Sequence, residues 1–191
     1  PPGYLEGIRA LCDDVGALMI VDEVQTGLGR TGQWFGFQHA DVVPDVVTLA
    51  KALGNGVPVG ACWARTSVAG VFQPGDHGST YAATALAGAA VAAVLDELRR
   101  IDAPALAVAR GAHLTELLQA IPQVESVRGS GLMLGAQLVP GIDANDVYRA
   151  ALAAGLVVNA VNASTIRFLP PLVVTDAELD EGVAILVNVL S

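Results

Sequence analysis

The chain has 191 residues, 53% of them apolar, with ten basic against nineteen acidic side chains and a formal charge of −9. That length suits one large domain, or a domain and a half, with enough apolar content to fill a core. The acidic balance leaves no electrostatic footprint for nucleic acid and no basic patch for an anionic membrane. No apolar run reaches the roughly 20 residues of a membrane span, and nothing resembles a signal peptide. Cys12 and Cys62 lie in apolar stretches without ligand-like spacing and read as buried, reduced thiols, which suggests the cytoplasm. The three histidines are scattered and predict no metal site.

The chain opens Pro1-Pro2-Gly3, without an initiator Met, and runs straight into an amphipathic stretch, Tyr4–Val15. That start reads as a helix already under way in a larger design, so a fragment is expected. Residues 17–21 (ALMIV) form a short apolar run that predicts a strand buried on both faces of a parallel sheet. Residues 45–50 (DVVTLA) predict a second such strand and residues 59–64 (VGACWA) a third. Residues 82–100 are Ala-rich with basic residues at the end, which is helix chemistry.

After residue 104 the texture changes. Residues 106–121 predict an amphipathic helix, and residues 124–127 and 132–139 predict strands around Gly129 and Gly131. A helix over 144–154 stops at Gly155, short strands follow over 156–161 and 165–168, and Thr175 or Asp176 caps a closing helix over 176–190. The expected architecture is α/β: part of a large, mostly parallel sheet domain over 1–100, then a smaller α+β domain over 101–191.

Of the ten basic residues, Lys51 is the only lysine, and it sits in an apolar segment. Asp22 and Lys51 each stand at the C-terminal end of a predicted strand, the edge where open α/β sheets bind ligands. A structural ion pair is the plainer alternative on that placement alone. The surrounding sequence narrows the choice. DEVQTGLGRTG (22–32) follows the first strand, Pro44-Asp45 precedes the second, and AKALGNG (50–56) follows it. With VRGSGL (127–132) and IRFLPPL (166–172), these motifs, in this order, resemble the class III, fold-type I aminotransferases that use pyridoxal 5'-phosphate.

The resemblance implies roles that make chemical sense. Lys51 would hold the cofactor aldehyde as an imine and later move a proton, its amine brought toward neutrality by burial. Asp22 would pair with the pyridinium nitrogen and strengthen the ring as an electron sink. Val24 would pack on the ring and Gln25 would hydrogen-bond its phenolic oxygen, with core packing and loop satisfaction as the plainer alternatives; Glu23 receives no cofactor role. In HGST (77–80), Ser79 and Thr80 would bind the phosphate of a neighbouring subunit, which implies a homodimer. Arg167 would capture a substrate carboxylate as a bidentate pair, while Arg30 and Arg128 read as loop-holding residues.

Two departures from the family's pattern stand out. Residues 81–85 are Tyr-Ala-Ala-Thr-Ala where the family has an aromatic residue followed by Gly-Gly-Asn-Pro, and Asn55 replaces a glycine. Within the family the likeness is strongest to enzymes that move the δ-amino group of N-acetylornithine to 2-oxoglutarate in arginine biosynthesis, notably over GLVVNA (155–160). Ornithine, succinylornithine and 4-aminobutyrate aminotransferases share most of these motifs. Family members run to about twice this length, so the chain is expected to be the C-terminal half and poorly active alone. Two other classes remain as alternatives. One is a non-catalytic descendant of the fold. The other is a nucleotide hydrolase, disfavoured because the chain lacks GxxxxGK[ST].

Overall fold

A computed structural model describes residues 1–76, 78–80, 82 and 84–191. The chain divides into two compact units, one of Pro1–Gly29 with Gln33–Asp102, the other of Arg30–Gly32 with Ala103–Ser191. No helix among the described residues is long and apolar enough to cross a membrane.

The first unit begins with helix α1 (Tyr4–Val15), which ends at Gly16 in the left-handed conformation, φ 68°. There the absence of a Cβ lets the Ala17 N–H turn back to the carbonyl of Cys12 at 2.9 Å. Strand β1 (Ile20–Asp22) then pairs in parallel with β2 (Val46–Leu49), Ile20 opposite Val46 and Asp22 opposite Thr48. β2 pairs in turn with β3 (Ala61–Ala64), giving the order β1-β2-β3. Helices α2 (Thr66–Ala69) and α3 (Ala85–Arg100) complete the unit. Thr84 opens α3, its hydroxyl oxygen accepting the Ala87 N–H at 3.2 Å, so the helix starts three residues later than its composition suggests.

Two expectations need correction here. The β2–β3 pairing is antiparallel, not parallel. The connection from Leu49 to Ala61 is too short for a crossover, which needs a dozen or more residues, so the chain can only double back. The strands are also not buried on both faces. Ile20 is 63% exposed and Trp63 47%, so neither β1 nor β3 is covered on both faces. Cys62 on β3 is exposed and Cys12 on α1 partly so, rather than buried.

What fastens this unit at the N-terminal end of its strands is Asp45, buried and charged. Its Oδ2 accepts from Arg9 Nη1 of α1 at 2.7 Å and from the Met19 N–H at 2.8 Å, and the Arg65 guanidinium stands 3.3 Å from Oδ1. Helix, first strand and the exit from β3 therefore meet on one carboxylate. The Arg9 hydrogen bond foremost, then the Met19 amide, hold its carboxyl below the usual carboxylate range.

The second unit is an antiparallel sheet, order β4-β5-β7-β6, made of β4 (Val124–Ser130), β5 (Met133–Leu138), β6 (Asn159–Asn162) and β7 (Thr165–Phe168). Strict alternation on β5 turns Leu134, Ala136 and Leu138 inward. They join Leu114 and Leu118 of α4 (Ala103–Gln119), Ile166 of β7 and Leu186 of α6 (Asp176–Leu190) in a nearly dry core. Helix α5 (Ala144–Ala153) packs on α6 and β6. α6 starts with a reciprocal cap: the Glu178 N–H reaches Thr175 Oγ1 at 3.3 Å, and the Thr175 N–H reaches Glu178 Oε2 at 2.7 Å.

Because Asp45 is held ionised in the folded state, its contribution is fully present above the ordinary aspartate value of about 3.9 and is lost as pH falls through its depressed folded value. Asp45→Asn is expected to cost about 2 kcal/mol at neutral pH, the scale of hydrogen bonds to a charged group. In denaturant titrations the gap between wild type and Asp45→Asn should stay constant from pH 7 to 5 and close only below about pH 4.

Candidate active site

Parallel pairing sends β1 and β2 out at the same edge of the sheet. Asp22 is the last residue of β1, and Lys51 stands two residues beyond the last of β2. Adjacent strands lie about 4.8 Å apart, so the two chain exits are neighbours. Lys51 opens a single 3₁₀ turn, Lys51–Leu53, and adopts φ 47°. A left-handed conformation costs a residue with a Cβ about 1 kcal/mol or more, and such outliers gather at functional positions. The turn closes through the Leu53 N–H to the Ala50 carbonyl at 3.0 Å. A Cβ on Gly54 would lie 2.1 Å from the Val57 carbonyl oxygen, so glycine is required there. Asn55 takes φ 44° and Gly56 φ 105°, so the asparagine tolerates the left-handed backbone at this point.

Both Asp22 and Lys51 are exposed. The expectation of a buried lysine is therefore corrected: Lys51 follows an apolar strand, but the turn carries it out past the sheet edge. Val24 and Gln25 follow Asp22 and are half-buried. The Val24 N–H donates to Asp22 Oδ1 at 2.9 Å, so the carboxylate is oriented by the first amide of the loop it precedes. Ser79 and Thr80 are exposed in the loop before α3. His77, Tyr81 and Ala83, which belong to the HGST motif and to the departure at 81–85, lie outside the described residues.

Glu23 is the opposite of Asp22. Strand alternation turns it to the other face, where it is 2% exposed. Oε2 accepts from the Thr26 hydroxyl at 2.5 Å and the Gly36 N–H at 2.9 Å, and Oε1 accepts from the Phe37 N–H at 2.8 Å. Its backbone N–H continues the ladder to the Thr48 carbonyl at 3.0 Å. Sequence context assigns Glu23 no role, and this network is found only in the fold. The available signal was an acidic residue next to a strand-ending Asp, followed by glycines at 27 and 36.

In the second unit Arg167 sits in β7, opposite Gly135 of β5 and Asn159 of β6. Its neighbours Ile166 and Phe168 face the apolar core, so alternation puts Arg167 on the other side, where it is half-buried. Arg128 reaches Gln137 Oε1 at 3.3 Å and Thr165 Oγ1 at 3.2 Å and so ties three strands together.

Arg30 binds three motifs that are far apart in sequence. Its Nη1 donates to the Pro170 carbonyl at 2.5 Å and the Leu132 carbonyl at 3.2 Å, while its own carbonyl accepts the Leu132 N–H at 2.9 Å. Burial lowers the guanidinium's pKa, though from so high a starting value that it stays charged. Arg30 and Arg128 thus hold loops and strands, as their sequence context suggests.

A family model for class-III aminotransferases matches residues 1–190. The chain is 44% identical to an acetylornithine aminotransferase of Caldanaerobacter subterraneus subsp. tengcongensis, over 100% of this chain and 49% of that protein. It is 48% identical to an acetylornithine aminotransferase of Methanopyrus kandleri, over 100% of this chain and 49% of that protein. Among solved structures, the ornithine aminotransferase of Toxoplasma gondii superimposes with a TM-score of 0.88 at 34% identity, over 98% of this chain and 46% of that one; its structure is described as having partial occupancy of PLP at the active site. The chain belongs to the class-III aminotransferases. It spans about half the length of the curated relatives it matches.

The close approach around Arg30 gives a test of this frame. A Cβ on Gly131 would lie 2.6 Å from the Thr31 carbonyl carbon and 2.7 Å from the Arg30 oxygen, at φ 53°. Gly131→Ala is therefore expected to cost about 2 kcal/mol or more, through strain added to a backbone clash. Gly141→Ala, at φ 97° but with open space around it, should cost only about 1 kcal/mol. Denaturant melts of the two variants separate the contributions.

Proposed function

We propose that this chain carries the lysine, the ring-binding carboxylate and the carboxylate-binding arginine of a pyridoxal-phosphate-dependent aminotransferase. The observation that carries the reading is the shared sheet edge: an amine in a strained turn and a carboxylate on the neighbouring strand end, both exposed beyond a parallel pair. That donor set fits the cofactor, with Lys51 for its aldehyde and Asp22 for its ring nitrogen. When bound, the cofactor supplies an aldehyde that condenses with amines and a cationic ring that withdraws electrons from the carbon bearing the amine.

The residues divide the remaining work. Lys51 Nζ would hold the cofactor through its aldehyde, and the lysine's free amine would take and return the proton at the substrate carbon. Asp22 keeps the ring nitrogen protonated, its own carboxylate aimed by the Val24 amide. Val24 would pack on the cofactor's ring and Gln25 would hydrogen-bond its phenolic oxygen. Ser79 and Thr80 bind the phosphate of the neighbouring subunit in a homodimer, a role that suits two exposed hydroxyl residues in one loop. Arg167, fixed in the middle of β7, receives a substrate carboxylate as a bidentate pair. Residues 1–100 serve as part of the large cofactor-binding domain and 101–191 as the small domain.

The favoured reaction is N-acetylornithine plus 2-oxoglutarate to N-acetylglutamate semialdehyde plus glutamate, a cytoplasmic step of arginine biosynthesis. Identities of 44% and 48% to acetylornithine aminotransferases support that donor. Free ornithine is the second reading, favoured by the likeness to the Toxoplasma gondii enzyme.

Borohydride reduction of the complete protein with cofactor, followed by peptide mapping, is expected to leave the cofactor covalently on Lys51; no adduct there sinks the reading. Lys51→Ala should lower transamination by about 10³-fold or more. Arg167→Lys should raise KM for 2-oxoglutarate about tenfold with a smaller effect on kcat, since a point charge replaces a fork. A donor panel of N-acetylornithine, ornithine, succinylornithine and 4-aminobutyrate decides between the two readings.

A further inference from the structure

Glu23 is a buried carboxylate to which the proposed chemistry assigns no part, and its surroundings are built for it. Gly36 offers its N–H at 2.9 Å, and a Cβ there would sit 3.3 Å from both carboxylate oxygens and 3.2 Å from the Thr26 Cβ. Phe37 offers a second amide at 2.8 Å and Thr26 a hydroxyl at 2.5 Å. The Gly27 N–H returns to the Glu23 carbonyl at 3.1 Å, where a Cβ on Gly27 would lie 2.9 Å from that oxygen. Three donors converge on a group that can only accept, in a space shaped by two glycines. Both ends of the segment that follows β1 are thereby fastened to one side chain, its start through Thr26 and its return through Gly36 and Phe37, while the Gly27 N–H closes the start on the Glu23 backbone carbonyl.

That segment begins with Val24, whose N–H aims the Asp22 carboxylate at 2.9 Å. Glu23 faces away from Asp22 and cannot reach a ligand at the sheet edge. It acts by fixing the backbone that orients Asp22 and carries Val24 and Gln25. We infer that Glu23 is a positioning residue for the cofactor's ring, resting on the function proposed above: its carboxylate clamps the 24–36 segment, and through it sets the direction of Asp22.

The clamp needs an acceptor on both oxygens. Glu23→Gln preserves size but places an NH₂ group against the Gly36 or Phe37 N–H, donor facing donor. Thr26→Val removes one donor and leaves the rest, a milder variant for the case in which the first does not fold. Asp45→Asn is the control, a buried carboxylate at the other end of the same strands.

The experiment uses the complete protein with added pyridoxal phosphate. It reads cofactor affinity by dialysis, the visible circular dichroism of the bound cofactor, amide exchange at Gly36 and Phe37, and stability in denaturant. The expected result is a loss of affinity of about tenfold or more for Glu23→Gln and a few-fold for Thr26→Val, with an altered dichroic band and faster exchange at both amides. Asp45→Asn should lose stability but keep its affinity and its band. Wild-type affinity and dichroism in both clamp variants would overturn the inference. So would affinity that simply tracks stability across all three variants, which is a structural role alone. If the wild type itself takes up no cofactor, the proposed function fails and this inference with it; if only the variants behave as wild type, this inference alone fails.

Discussion

A parallel pair of strands has one property that an antiparallel pair lacks: both chains leave at the same edge. The register of β1 against β2, with Asp22 opposite Thr48, brings a carboxylate and the chain's only lysine to neighbouring exits although 28 positions of sequence lie between them. Hydrogen bonding along the ladder holds that register, and a buried carboxylate sits at each end of it. Asp45 gathers Arg9, Met19 and Arg65 at the entry side. Glu23 gathers Thr26, Gly36 and Phe37 at the exit side. Slipping the pair by one residue would turn Asp22 to the face now occupied by Glu23 and destroy both clusters together. The geometry of the edge is therefore protected by groups that take no part in its chemistry.

In the second unit the same economy appears around Arg30. Its side chain spans two carbonyls, and its own carbonyl accepts the Leu132 N–H. A Cβ on Gly131 would strike the backbone of residues 30–32, and one on Gly111 would lie 2.2 Å from the Gly131 oxygen. Helix α4, the β4–β5 turn and the 30–32 segment are thus stacked at backbone distance. Three motifs that are separate in sequence, GRTG, RGSGL and FLPPL, are here one packing problem with one solution.

How much of this is legible in the sequence depends on the range of the interaction. Local chemistry reads well. The helices Tyr4–Val15 and Asp176–Leu190 and the strand Thr165–Phe168 fall where periodicity and capping residues place them. Lys51 and Asp22 are legible as strand-end residues because an apolar run stops just before each. What lies against a strand is not legible. ALMIV carries the composition of a strand covered on both faces, yet Ile20 is exposed, since coverage depends on segments no local run encodes. Glu23 was invisible for a related reason. Its partners are backbone amides 13 and 14 residues away, and backbone amides leave no mark in a sequence. The glycines that make room for them do, but only once the fold says what they make room for.

The departures from the family's pattern show which features of a motif the backbone needs. Asn55 stands where glycine is usual and adopts φ 44°, the conformation the turn after Lys51 requires, because its short polar side chain tolerates that region better than most. Gly54, one residue earlier, could not be replaced in the same way: its own φ is −104°, and the obstacle is the Val57 carbonyl where a Cβ would go. At the start of α3 Ala85 stands where the pattern has proline, and Thr84, in place of the pattern's asparagine, still caps the helix by accepting the Ala87 N–H. Each substitution keeps the backbone requirement and changes the means. A residue's identity is thus fixed at this site where space is lacking, as at Gly54, and left open where only a dihedral angle or a cap is demanded.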